Sequence, residues 1–202
     1  MQCIEKWQTT RLARRAIKKK YQDYLNTENF QQQFTNCSVY RLSLFILREE
    51  LLEFIEKEFN KFITEQKLSD SNKSDIKEKI KDKVRKPTCA SSDQSLANKA
   101  KNRISLINKL DPKTITTADW RTIANCYTGN FNLKKQATFD AKDLLETLMY
   151  CTLFHDSLYP AASAVIEDRN KYYGHASALV IDSDTLKTLE SSIRSLLELI
   201  PA

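Results

Sequence analysis

Val39-Tyr40-Arg41-Leu42-Ser43-Leu44-Phe45-Ile46-Leu47-Arg48-Glu49-Glu50-Leu51-Leu52-Glu53-Phe54-Ile55-Glu56-Lys57-Glu58-Phe59-Asn60-Lys61-Phe62-Ile63 is the stretch whose reading decides the fold class. Leu44, Phe45, Leu51, Leu52, Ile55, Phe59, Phe62 and Ile63 recur at three- and four-residue spacings, the period of a half-buried helix. A strand would alternate every second residue instead. Arg48, Glu49, Glu50, Glu56 and Lys57 fall mostly on the opposite side, so the apolar stripe is expected to be core.

The rest of the chain agrees with helix. Its 202 residues include only 2 glycines and 4 prolines. Glycine supplies the positive-φ positions of tight hairpin turns, so few such turns can be built. Leu-, Lys-, Glu-, Ala- and Gln-rich segments favour helix by propensity. The expectation is an all-α helical bundle.

Outward from the long helix, residues 5–35 mix charge with Trp7, Leu12, Ile17, Tyr21, Tyr24 and Leu25, as in a basic helix with a thin apolar face. Residues 1–38 are therefore read as a basic helical extension. Arg11, Arg14 and Arg15 are candidate contacts to nucleic acid, although a charge run is more often a solvated face. Residues 39–84 form the long amphipathic segment, Ile76, Ile80 and Val84 keeping a weak four-residue period to its end. Residues 85–95, with Pro87 and few apolar side chains, are read as a flexible linker. Residues 96–202 form a second helical region. A helix from Leu96 ends at Asp111-Pro112, and another spans Thr114 to Tyr127. Thr128-Gly129-Asn130 is a turn, and Asp140 with Asp143 opens a helix burying Leu144, Leu145, Leu148, Met149 and Thr152. Pro160 sits in the first turn of the next helix, Gly174 ends it, and a last helix from Asp182 buries Leu186, Leu189, Ile193, Leu196, Leu197 and Ile200.

A net charge of +6 favours acidic partners, among them nucleic acid. The 5 cysteines are odd in number, scattered and never in a C-x-x-C pair, which points to a reducing, cytoplasmic setting and away from a disulfide framework. With 2 histidines and no carboxylate cluster at ligand spacing, neither a metal nor another cofactor is expected. No apolar run reaches the ~20 residues that span a bilayer, and the first residues lack the apolar core of a secretory signal.

The concentrated chemistry lies at Arg169-Asn170-Lys171-Tyr172-Tyr173-Gly174-His175, which holds one of the 2 histidines and one of the 2 glycines. Arginine grips a phosphate with a fork of donors, a task Lys171 can support as a point charge. Asn170 can orient an oxygen, and a histidine with an ordinary pKa of about 6.5 can move a proton near neutrality. On a continuous helix Arg169 and His175 would point about 120° apart, so the set converges only if the helix breaks at Gly174. Cleavage by a neighbouring 2′-hydroxyl needs an acid and a base but no metal, which a pair of chains would complete. The plainer alternative is structural: His175 caps the last carbonyls, and Arg169 pairs with Glu167, Asp168 or a carboxylate on the last helix. His155, between Phe154 and Asp156, reads as a surface cap.

Arg169-Asn170-x-x-x-Gly174-His175-Ala176 between two amphipathic helices resembles the HEPN superfamily. With Asp119-Trp120 and Phe139-Asp140 plus Leu144-Leu145 in order before it, the chain is most similar to the animal HEPN-like domains of some RING ubiquitin ligases and NACHT-linked innate-immunity proteins. The resemblance covers about residues 100–202. One departure is an extra residue between Phe-Asp and Leu-Leu. The resemblance implies a helical bundle, a homodimer through the motif-bearing helices, and either RNA binding or metal-independent endoribonuclease activity through Arg169, Asn170 and His175. A different class of function stays open beside it: a non-enzymatic helical module that dimerises or docks on signalling proteins.

Overall fold

A computed structural model describes residues 19, 22–23, 25–66, 68, 73–86, 94–109, 120–128, 139–172 and 181–201. Among them there are seven α-helices and no strand: α1 (Glu28–Glu65), α2 (Lys73–Asp82), α3 (Gln94–Lys109), α4 (Trp120–Ala124), α5 (Ala141–Tyr150), α6 (Leu158–Tyr172) and α7 (Ser183–Leu197). A 3-10 turn, Asn125–Tyr127, extends α4. The fold is all-α, as the periodicity requires.

The 38-residue α1 is the spine. It starts where Thr27, in extended backbone, accepts from Phe30 N through its side chain at 3.3 Å. It therefore runs straight through residues 38 and 39, where the composition had suggested a division. Tyr40, Leu44, Leu47, Leu51, Ile55, Phe59 and Phe62 form its buried line, and α4, α5 and α7 pack along it. Phe45, expected in the core, is 58% exposed. Leu44 and Leu47 already fill the inward arc of that turn, and Phe45 falls outside it.

The segment after α2 departs most from the sequence reading. Helix stops at Asp82, and Val84 forms an isolated antiparallel bridge with Cys151. Arg85, placed by composition in a flexible linker, is a buried anchor: its backbone N donates to Tyr150 O at 2.8 Å, its Nε to Met149 O at 2.8 Å, and its Nη2 to Phe154 O at 2.8 Å. Its Nη1 binds Asp156. The bonds to Tyr150 and Met149 satisfy carbonyls that the end of α5 leaves without intrahelical partners. The other linker residues described, Lys86, Gln94 and Ser95, lie on either side of 87–93, which fall outside the described residues.

Further on, α5 opens with a capping box, Asp143 N to Asp140 Oδ1 at 2.9 Å and Asp140 N to Asp143 Oδ2 at 3.2 Å. Leu144, Leu145, Leu148 and Met149 are buried, whereas Thr152 is exposed because α5 ends at Tyr150. Trp120, with Asp119 outside the described residues, stacks on Phe139 at 5.8 Å and 15°. Asp182 caps α7, whose Leu189, Ile193 and Leu196 are buried and whose Leu186 and Leu197 are partly so, as is Ile200 just beyond its end. No described helix is long and apolar enough to cross a membrane.

Candidate functional site

α6 carries the motif and lies between α5 and α7. Each residue turns about 100° around a helix axis, so Asp168, Arg169 and Asn170 face three different neighbours. Asp168 Oδ2 accepts from Ser192 Oγ of α7 at 2.7 Å. Arg169 Nη2 donates to Asp140 Oδ2 at 3.3 Å, and its Nη1 donates to Asn170 Oδ1 at 3.3 Å. Asn170 then lines a cleft of about 440 Å3 between α3, α5 and α6.

The structure thus brings Arg169 and Asn170 together. The Arg169 side chain is 18% exposed. The ion pair described for it is with Asp140, where adjacency suggested Glu167, Asp168 or a residue of α7. Asp140 splits its oxygens: Oδ1 caps α5 and Oδ2 holds the arginine. Trp120, Phe139, Asp140 and Arg169 form one continuous layer, further fixed by Arg48 Nε donating to Phe139 O at 2.7 Å. On α1, Tyr40 is 1% exposed and its hydroxyl meets no hydrogen-bond partner among the described residues. Burial raises its pKa well above the ordinary tyrosine value; Asp168 pushes it further up and Arg169 draws it down.

Lys171 is exposed and lies 4.8 Å from the Tyr172 ring centroid. Gly174 and His175, and likewise Arg11, Arg14 and Arg15, lie outside the described residues. The chain is described again from Ile181, whose carbonyl accepts from Asn36 Nδ2 at 3.0 Å. His155 is the surface cap its context suggests: its Nδ1 accepts from Ser157 N at 3.2 Å at the start of α6.

The cleft beside Asn170 is what the sequence reading missed. Arg103, 5% exposed, lies on its floor with its guanidinium carbon 3.6 Å from the Tyr150 ring centroid. Arg103 Nε donates to Tyr127 O at 2.7 Å and Nη1 to Lys99 O at 3.2 Å, while Nη2 pairs with Glu146 at 3.6 Å. Burial lowers the Arg103 pKa, and the Lys99 ammonium, bonded to the Tyr150 hydroxyl, is held above its ordinary value. A signal existed: Leu96, Ala100, Arg103 and Ile107 share one helical stripe, and a charge within an apolar stripe marks a buried, partnered group. Among the described residues no three His, Cys, Asp or Glu side chains gather as metal ligands.

No family model, curated protein or solved structure matches this chain.

Proposed function

We propose that the chain is an RNA-binding helical domain of the HEPN type, with Arg169 and Asn170 holding a phosphodiester. The observation that carries this reading is the Arg169–Asn170 pair, bonded at 3.3 Å near the end of α6, with Asn170 exposed. A guanidinium presents its N–H donors as a planar fork, the geometry that meets two oxygens of one phosphate. The net charge of +6 supplies attraction for a polyanion.

Binding needs only Arg169 and Asn170; cleavage needs His175 as well. In that step a base removes the proton of a ribose 2′-hydroxyl, whose oxygen attacks the adjacent phosphorus. The bond to the 5′-oxygen breaks, and an acid returns a proton to that leaving oxygen. The products are a 2′,3′-cyclic phosphate and a 5′-hydroxyl. One His175 per chain supplies one of the two proton-transfer groups, and a second copy supplies the other.

The experiment is incubation of the full chain with single-stranded RNA in EDTA, beside Arg169→Ala and His175→Ala. Arg169→Ala is expected to weaken binding about tenfold or more, the worth of a charge-assisted hydrogen-bonded contact. Cyclic-phosphate ends that vanish in both variants support the enzyme; intact RNA bound equally by all three proteins overturns the reading.

A second reading, a non-enzymatic interaction module, draws on one observation. Leu42 and Phe45 are each 58% exposed and Ile46 49%, on the side of α1 away from its buried line. An apolar surface of this kind commonly meets a protein partner.

A further inference from the structure

The cleft that Asn170 lines is built like a site for a small planar group. Its volume of about 440 Å3 lies within the ~300–1,000 Å3 of small-molecule pockets. Leu106 of α3 and Ile166 of α6 line it from two helices. The floor is held in place, since the buried Arg103 is tied to Tyr127, Lys99 and Glu146, and its guanidinium carbon lies 3.6 Å from the Tyr150 ring centroid. Polar groups at the rim fall into two sets: Lys99 and Asn102 can donate from α3, and the exposed Glu167 can accept from α6. Glu167 Oε1 takes one hydrogen bond from Ser163 Oγ at 3.1 Å, which orients the carboxylate and leaves it room for more.

We propose that this cleft takes the guanine base of a single-stranded RNA, with Glu167 reading its N1–H and N2–H2 edge and Lys99 and Asn102 reading O6 and N7. The choice among bases follows from donor and acceptor patterns. Guanine sets two N–H donors side by side, which suits one carboxylate, and follows them with two acceptors, which suit an ammonium and an amide. Adenine presents the acceptor N1 where guanine presents a donor, so it faces the Glu167 carboxylate with like polarity. Uracil flanks its single N–H with two carbonyl oxygens, and cytosine offers one amino group. Unstacked bases of single strands are the ones a pocket of this kind can read. Asn170 links the two halves of the site, because it lines the cleft and also accepts from Arg169 at 3.3 Å.

This inference rests on the RNA reading, and the test separates the two. Guanosine, adenosine, cytidine and uridine, which carry no phosphate, are titrated calorimetrically into the full chain, followed by short RNAs with and without guanine. Guanosine is expected to bind about tenfold or more above the other three, with Glu167→Gln and Lys99→Met each removing about tenfold of that affinity. Glu167→Gln keeps the Ser163 contact at an exposed position, and circular dichroism checks that both variants stay helical. Equal affinity for the four nucleosides, or guanosine binding untouched by both substitutions, overturns the base site. RNA binding that Arg169→Ala abolishes but that shows no base preference also overturns it, while keeping the RNA reading. Guanosine binding lost in Glu167→Gln, with no binding of guanine-containing RNA, keeps the base site and retires the RNA reading.

Discussion

Arg169 Nη2, near the end of α6, donates to Asp140 Oδ2 at the head of α5 at 3.3 Å, while the other oxygen of the same carboxylate caps α5. One aspartate therefore both caps a helix and pairs with the candidate phosphate-binding arginine. On the proposed RNA reading, a phosphate arriving at Arg169 would compete with Asp140.

Asp140→Asn and Asp140→Ala separate these two jobs. Asparagine caps helices about as well as aspartate, so its variant should keep stability while releasing Arg169. The Asp140 side chain is 57% exposed, so the ion pair is worth at most ~1 kcal/mol and RNA affinity should rise by no more than about fivefold. Alanine also loses the cap and should cost about 1 kcal/mol in a urea melt. Unchanged RNA affinity in the asparagine variant would mean that Asp140 does not compete for the site.

Arg85 offers a test in which burial outweighs charge pairing. Its side chain is 9% exposed and serves Met149, Cys151 and Phe154 carbonyls, whereas its ionic partner Asp156 is 87% exposed. Arg85→Ala should lose about 3 kcal/mol or more, because buried carbonyls are left without donors. Asp156→Ala should lose at most ~1 kcal/mol. Arg85→Lys should recover little, since an ammonium cannot reproduce the planar fork. Denaturant midpoints of the three variants rank these effects.

The thiols of Cys126 and Cys151 are both pushed up to about 12, in each case chiefly by burial. At pH 8 only roughly one in ten thousand would be thiolate, the reactive form. Native protein mapped by mass spectrometry after iodoacetamide treatment should carry almost no label at these two positions, and unfolded protein should carry it fully. Rapid native labelling would show that this part of the core opens.

Stability should fall in acid through Asp182. Hydrogen bonds from Thr185 N and Oγ1, at 2.8 and 2.9 Å, lower its pKa below the ordinary carboxylate value. A depressed folded-state pKa gives stabilisation that is complete above the unfolded value of about 3.9 and lost as pH drops through the folded one. Asp143 acts in the opposite sense: burial and then Asp140 raise its pKa, so its protonation relieves the folded state as pH falls. Thermal melts from pH 7 to pH 2 should therefore decline less steeply in Asp182→Asn than in the parent chain, and more steeply in Asp143→Asn.

Leu51→Ala and Leu42→Ser contrast the two sides of α1. Leu51 is fully buried, so truncation should cost about 2.7–5 kcal/mol. Leu42 is 58% exposed, and its replacement should move stability by no more than ~0.5 kcal/mol. Sedimentation that changes with Leu42→Ser or Phe45→Ser would favour the interaction-module reading.

The elements most legible in the sequence were those whose signals are local. The three-and-four spacing of Leu44, Leu51, Ile55, Phe59 and Phe62 gave α1, and Asp140 with Asp143 gave the start of α5. Residues 85 and 45 were misread because composition and period say which residues can be buried, but not which neighbour arrives to bury them. Arg85 looks like linker until the end of α5 presents its carbonyls, and Phe45 looks like core until α1 is seen to bury one side only.

By itself the sequence determined an all-α chain, the places where several helices start, and the adjacency of Arg169 and Asn170. Helix periodicity and capping act over a few residues, so one strand of text records them. Tertiary structure alone decided that Asp140 would hold Arg169 across 29 positions, and that Lys99, Arg103 and Glu167 would surround one cleft. Those pairings depend on how α3, α5 and α6 pack, and packing is a property of the whole core rather than of any segment within it.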